Sequence, residues 1–151
     1  AALLQSMAVF ARFATCAIAA GSVLTVLLSL FIARWWQASL YNPGGFRAEF
    51  LGLRMPKSLA GTFLLMLAVA ATGGVAGEIA ANLSVPMFMA FLLTGFSVVH
   101  ALCAGSPSGR FWLIGLYIGM MFMAPLLLLV ALAGLTDAWL DWRRRLPARR
   151  G

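Results

Sequence analysis

Two ionisable residues sit where an apolar chain leaves such groups the most to do. His100, in Ser97-Val98-Val99-His100-Ala101, is the only histidine. An ionisable side chain inside a long apolar stretch is costly to bury and therefore marks a candidate site. Its imidazole can bind a polar ligand or relay a proton. The competing role is structural: a ring near the membrane surface, hydrogen-bonded to a backbone carbonyl or to Ser97 one turn earlier. Glu78 follows Gly73-Gly74-Val75-Ala76-Gly77. A buried carboxylate beside flexible backbone is how some transporter sites hold ions or solutes. The simpler expectation is a solvated Glu at a helix end, followed by a loop over 82–86.

Enzyme chemistry finds little else to use. The chain has four acidic residues and one histidine. There is no paired carboxylate within an apolar run, no HExxH, and no Ser or Cys with a His and an Asp at specific spacing. The glycine cluster before Glu78 lacks the lysine and hydroxyl of a phosphate loop. Cys16 and Cys103 show no metal spacing and are expected as two buried free thiols. The expectation is a non-enzymatic protein without a cofactor or metal.

The elements that must carry these residues are set by composition. Of 151 residues, 63% are hydrophobic and 10% charged, with a mean hydropathy of +0.97. A soluble domain carries about a quarter charged residues. This chain therefore reads as a single membrane domain over 1–151. A bilayer core of about 30 Å needs roughly 20 apolar helical residues. Four runs without Asp, Glu, Lys or Arg meet that need: 13–33, 59–77, 85–104 and 111–136. The fold class expected is all-α, a polytopic transmembrane bundle of about four spans.

Two further segments read as interfacial amphipathic helices, 35–58 and 137–147. In the first, Asn42-Pro43-Gly44-Gly45 is a turn signal, after which Phe46, Phe50 and Leu53 share one helical face. In the second, Leu135, Trp139, Trp142 and Leu146 form an apolar stripe opposite Asp137, Asp141 and Arg145. Trp35, Trp36, Trp112, Trp139 and Trp142 fall at span ends, where the indole ring favours the headgroup level. With Arg143, Arg144 and Arg145 they are the expected interface anchors. Pro125 should kink the fourth span; a re-entrant pair broken there is the alternative. Gly73 with Gly77, and Gly115 with Gly119, are small-xxx-small pairs suited to close helix packing. Met120, Met121 and Met123 read as packing residues.

The net charge of +7 lies at the ends of apolar runs, so it points to a membrane interface rather than nucleic acid. Four spans would divide the eleven basic residues six against five, which sets no orientation. A hairpin in the fourth run would put ten of them on one side. The Arg-rich tail is placed in the cytoplasm.

Several motifs resemble the YybS-like bacterial membrane proteins. They are Arg34-Trp35-Trp36, Tyr41-Asn42-Pro43-Gly44-Gly45-Phe46-Arg47-Ala48-Glu49-Phe50, Leu53-Arg54-Met55-Pro56, Val99-His100-Ala101-Leu102, and the closing Asp137-Ala138-Trp139-Leu140-Asp141-Trp142-Arg143-Arg144. Members of that family, a domain of unknown function, are usually longer, so the chain resembles their C-terminal half. The family is similar, more remotely, to the substrate-binding membrane components of energy-coupling-factor transporters. That resemblance implies a helical bundle in a bacterial cytoplasmic membrane that holds a small solute, and it assigns no ligand residue. The expected function is binding or helping to move a small solute. The alternative is an accessory or scaffold subunit at the edge of a larger membrane complex. The expected partners are the lipid bilayer, other membrane subunits and a small-molecule ligand.

Overall fold

A computed structural model describes the backbone of residues 2–144 and the side chains of Met7, Ala14 and residues 17–144. The side chains of Arg12 and Cys16, and the tail from Arg145 onward with Leu146, lie outside the described residues. Among the described residues there are six α-helices and no strand: α1 (Ala2–Tyr41), α2 (Gly45–Leu51), α3 (Lys57–Ala70), α4 (Gly74–Ala104), α5 (Gly109–Phe122) and α6 (Pro125–Leu140).

Length separates them into two groups. Ala17–Tyr41 within α1 and all of α4 are long and apolar enough to cross a membrane. α3 and α5 have 14 residues each and α6 has 16. At 1.5 Å per residue these reach only about 21–24 Å, short of a hydrocarbon core of about 30 Å.

The expected span boundaries need four corrections. The run 59–77 is not one helix: α3 ends at Ala70, and Gly73 and Gly74 turn the chain with φ of 72° and 67°. Left-handed backbone of this kind costs a glycine little and any other residue more. The loop expected over 82–86 is helical, because α4 starts at Gly74 and runs through Pro86. Proline leaves one carbonyl a turn earlier without its helical partner, a loss that tightly packed apolar helices tolerate. The run 111–136 breaks at Met123 and Ala124. Pro125 does not kink a continuous span but opens α6, where its missing N–H removes no helical bond. Last, the tail does not extend the final helix. Asp141 takes φ 47°, ending α6 at Leu140; the part of the expected stripe at Leu146 lies outside the described residues.

The short helix after Asn42 does form. Gly44, at φ 87°, makes the turn between α1 and α2. Phe46 and Phe50 stack at 6.2 Å, and each meets Phe31 of α1 edge-on at 6.0 Å. Leu53 falls past the end of α2, in the linker to α3.

α4 is the axis, touching every other helix. One core cluster joins Ala60 and Phe63 of α3 to Phe91 of α4 and Leu135 of α6. A second joins Leu92 of α4 to Val130 and Ala131 of α6, with Leu116 and Met120 of α5 packed against it. α6 crosses α4 at two glycines. A Cβ on Gly95 would collide with the Val130 carbonyl, and one on Gly134 with the Phe91 carbonyl. The tight approach of α6 to α4 therefore depends on Gly95 and Gly134, while of the expected glycines Gly77 is buried, where a Cβ would press on the Ala70 carbonyl. Gly73 lies in the α3–α4 turn, so it shares no helix face with Gly77. Gly115 faces open space, and Gly119 meets Leu126.

Candidate functional site

Near its C-terminal end, α4 presents His100 to a cleft of about 610 Å3 lined by residues of α2, α4 and α5 and by the turn between the last two. Three local features shape it. Ser97, fully buried, donates its hydroxyl to the Phe50 carbonyl and ties α2 down onto α4. Gly109, which lacks a Cβ that would strike the Cys103 carbonyl, lets α5 start close against α4. Phe50 then packs edge-on over the His100 ring at 5.6 Å.

The imidazole is held from both sides. Nδ1 lies 2.8 Å from the Phe96 carbonyl. A carbonyl only accepts, so Nδ1 carries a proton there. In the neutral ring Nε2 accepts, and the Tyr117 hydroxyl stands 3.4 Å away. The structural role expected for His100 is thus partly met, with Phe96 and not Ser97 as its partner. The ring is half-buried, so it still reaches the cleft. Arg47, Arg110 and Cys103 line the same space. Cys103 is a free, half-buried cysteine, more open than a packed core thiol.

Glu78 is elsewhere. It is exposed in the second turn of α4, and its carbonyl accepts from the Asn82 amide at 2.9 Å. The structure does not bring it near His100's cleft.

A second polar region lies at the C-terminal end of α6. Asp137 is buried, with its side chain 3% exposed, and Arg143 stands beside it at 9%. One Asp137 oxygen lies 3.4 Å from the Arg143 guanidinium, and the other accepts the Trp142 backbone N–H at 2.9 Å. Arg143 also donates to the Leu51 carbonyl and, at 2.6 Å, to the Leu53 carbonyl. Burial pushes this guanidinium below its ordinary pKa, and the Asp137 charge opposes the shift. Alongside, Asp141 accepts from Arg54 and from Arg144, each at 2.9 Å. The hydrogen bond from Arg54 is the largest cause holding the Asp141 carboxyl below its usual value.

In this knot Arg143, expected as an interfacial anchor, is packed, donating to the last residue of α2 and to the α2–α3 linker. Arg144 is exposed, as are Trp35, Trp36, Trp112, Trp139 and Trp142. The knot also joins the tail to the linker, two segments that four straight spans would put on opposite faces. Sequence spacing shows Asp137 and Asp141 in a stripe of charge, yet nothing in it shows that the αL turn at Asp141 brings Arg143 beside Asp137. Ser97, Gly95, Gly134, Arg47 and Arg110 were also missed as a group, because their partners are distant in sequence.

Among the described residues, no three His, Cys, Asp or Glu side chains gather as a metal site would need. Comparison with curated proteins gives no match, and comparison with solved structures gives none. A family model described as a predicted membrane protein, DUF2232, matches residues 3–138. That match spans nearly the whole chain, and it agrees with two helices long enough to cross a bilayer. The protein belongs to the DUF2232 family of membrane proteins.

Proposed function

We propose that this protein is a non-enzymatic membrane component that binds a small solute in the cleft at His100 and helps to move it. The observation that carries the reading is the cleft itself. It holds about 610 Å3 beside a half-buried imidazole, two arginines and aromatic rings. Ligand sites combine this kind of concavity with a few placed polar groups. The resemblance to YybS-like proteins, and through them to solute-binding transporter components, points the same way. The test is thermal stabilisation of the detergent-purified protein by a panel of vitamins and metabolites. A compound that raises the melting temperature of the wild type and not of His100→Ala supports the reading. No shift with any compound overturns it.

The setting proposed is a bacterial cytoplasmic membrane. α1 and α4 cross it, the shorter α3 carries the chain back between them where the bilayer thins to its length, and α5 and α6 enter and leave on the face that carries the α1–α2 turn. Contact between the tail and the α2–α3 linker supports that arrangement. Every Lys and Arg among residues 17–144 then falls on one face, which the positive-inside rule makes cytoplasmic. Reporter fusions at Gly151 and at the Pro43 turn should report the same compartment.

One observation favours the alternative role of an accessory subunit. The apolar window of α1 buries none of its residues within the chain. Lipid or a partner helix must cover it. Migration as a single chain after mild extraction from native membranes would remove this alternative.

A further inference from the structure

The described arginines divide sharply. Arg34 pairs with Glu49, Arg54 and Arg144 with Asp141, and Arg143 with Asp137. Arg47 and Arg110 have no carboxylate or hydrogen-bond partner among the described residues, and both line the His100 cleft. No Asp or Glu lines it. They come from different helices, Arg47 from α2 and Arg110 from the first turn of α5. The positive end of the α5 dipole lies at the same rim, and the Ser108 side chain does not cap it. Charge of one sign gathered around a concave, partly apolar space concentrates ligands of the opposite sign.

Resting on the solute-binding reading above, we propose that the cleft takes a phosphate-bearing ligand with an apolar body. Arg47 and Arg110 grip the phosphate, since a guanidinium presents paired donors that match phosphate oxygens. His100 offers a further polar contact deeper in. Phe50, Phe111 and Leu113 give the rest of the wall an apolar part beside Ser106 and Cys103, and the space far exceeds a phosphate group. A phosphorylated amphiphile fills both parts of such a site. The phosphate can belong to a lipid headgroup or to a soluble phosphate ester, and the recognition chemistry is the same.

The test uses the whole chain in a neutral maltoside detergent, with binding counted by native mass spectrometry. The probes are dioctanoyl phosphatidic acid, dioctanoylglycerol and inorganic phosphate. One equivalent of phosphatidic acid should bind saturably, and dioctanoylglycerol should bind far more weakly. Each of Arg47→Gln and Arg110→Gln should weaken phosphatidic acid about tenfold, equivalent to ~1.4 kcal/mol. Arg34→Gln, which removes an arginine already paired, should change nothing. Both cleft arginines are exposed and unpaired, so the variants should melt with the wild type. If millimolar inorganic phosphate displaces the lipid, a soluble phosphate ester is the favoured source. If it does not, the headgroup is. Equal binding of dioctanoylglycerol, or full affinity in the double variant, overturns the inference. Stabilisation of wild type and double variant alike by an uncharged solute would sink it while leaving solute binding at His100 intact.

Discussion

The knot around Arg143 and the cleft at His100 both turn on arginines and do opposite things. At the knot each arginine meets a carboxylate, and the buried guanidinium also takes two backbone carbonyls. At the cleft two arginines face open space with no carboxylate near. Acidic residues make the difference. Asp137 and Asp141 are both spent at the knot, Glu49 is paired with Arg34, and Glu78 lies in the second turn of α4, away from the cleft. With so few carboxylates, pairing in one place leaves unpaired cation in another. Charges paired with one another hold a fold together, although the knot still leaves Asp141 Oδ1 and Arg143 Nε buried without a hydrogen-bond partner. Unpaired charge is left for something else to complete.

The largest effect should come from breaking the knot. Arg143→Met leaves Asp137 buried without its ion partner and two linker carbonyls without their donor. Removing one partner of a buried pair typically costs about 3–5 kcal/mol. Chemical unfolding of the purified protein in detergent would measure it. The double substitution Arg143→Met/Asp137→Leu should recover much of the loss, because no charge is then stranded.

Between knot and cleft lies the α4–α6 crossing. Gly95→Val must push α6 away from α4, at a cost of about 1–3 kcal/mol or more for an overpacked contact. Gly115→Val, where a Cβ would meet nothing, should be tolerated. Equal effects at the two glycines would mean that α6 does not cross where described.

The knot should also titrate. Asp141 has a folded pKa below its ordinary value of 3.8, chiefly through Arg54. A depressed carboxylate contributes stability that is fully present above the unfolded pKa and lost as pH falls through the folded one. Melting temperature should therefore drop as pH is lowered below about 4. Arg54→Gln should flatten that part of the profile. An unchanged profile would show that the Arg54 contact is not formed.

The smallest effects belong to the cleft. His100→Ala removes one backbone hydrogen bond and ring contacts with Phe50 and Tyr117, worth about 1 kcal/mol. Arg47→Gln and Arg110→Gln should shift stability by less than about 0.5 kcal/mol each.

What the sequence made legible follows the range of the physics. Membrane class, the turn at Asn42, the helix carrying Phe46 and Phe50, and the importance of Pro125 are local signals. Hydropathy and turn chemistry act over a few residues, so they survive without a fold. The boundaries failed where two local signals competed. Glycine at 73 and 74 outranked the unbroken hydropathy of 59–77, and Pro125 acted as a helix start because a break just before it was available. Of the glycine pairs, Gly77 and Gly119 meet a neighbouring helix and Gly73 and Gly115 do not, because spacing along one helix says nothing about which helix faces it. Gly95 and Gly134 matter only as a pair, 39 positions apart. Arg143 reads from sequence only as an interface anchor because its partners, Leu51 and Leu53, sit some 90 residues earlier. His100 was found as a lone ionisable group in an apolar run, but Arg47 and Arg110 join it only in three dimensions.

One polar cluster holds the fold while the other is left to bind. Melting curves for three purified proteins, each with and without dioctanoyl phosphatidic acid, test it directly. The wild type should melt higher with the lipid. Arg47→Gln/Arg110→Gln should match the wild type without lipid and gain nothing from it. Arg143→Met should melt lower than both, yet still be raised by lipid. Loss of stability in the cleft variant, or loss of the lipid response in the knot variant alone, would contradict the division of labour between the two sites.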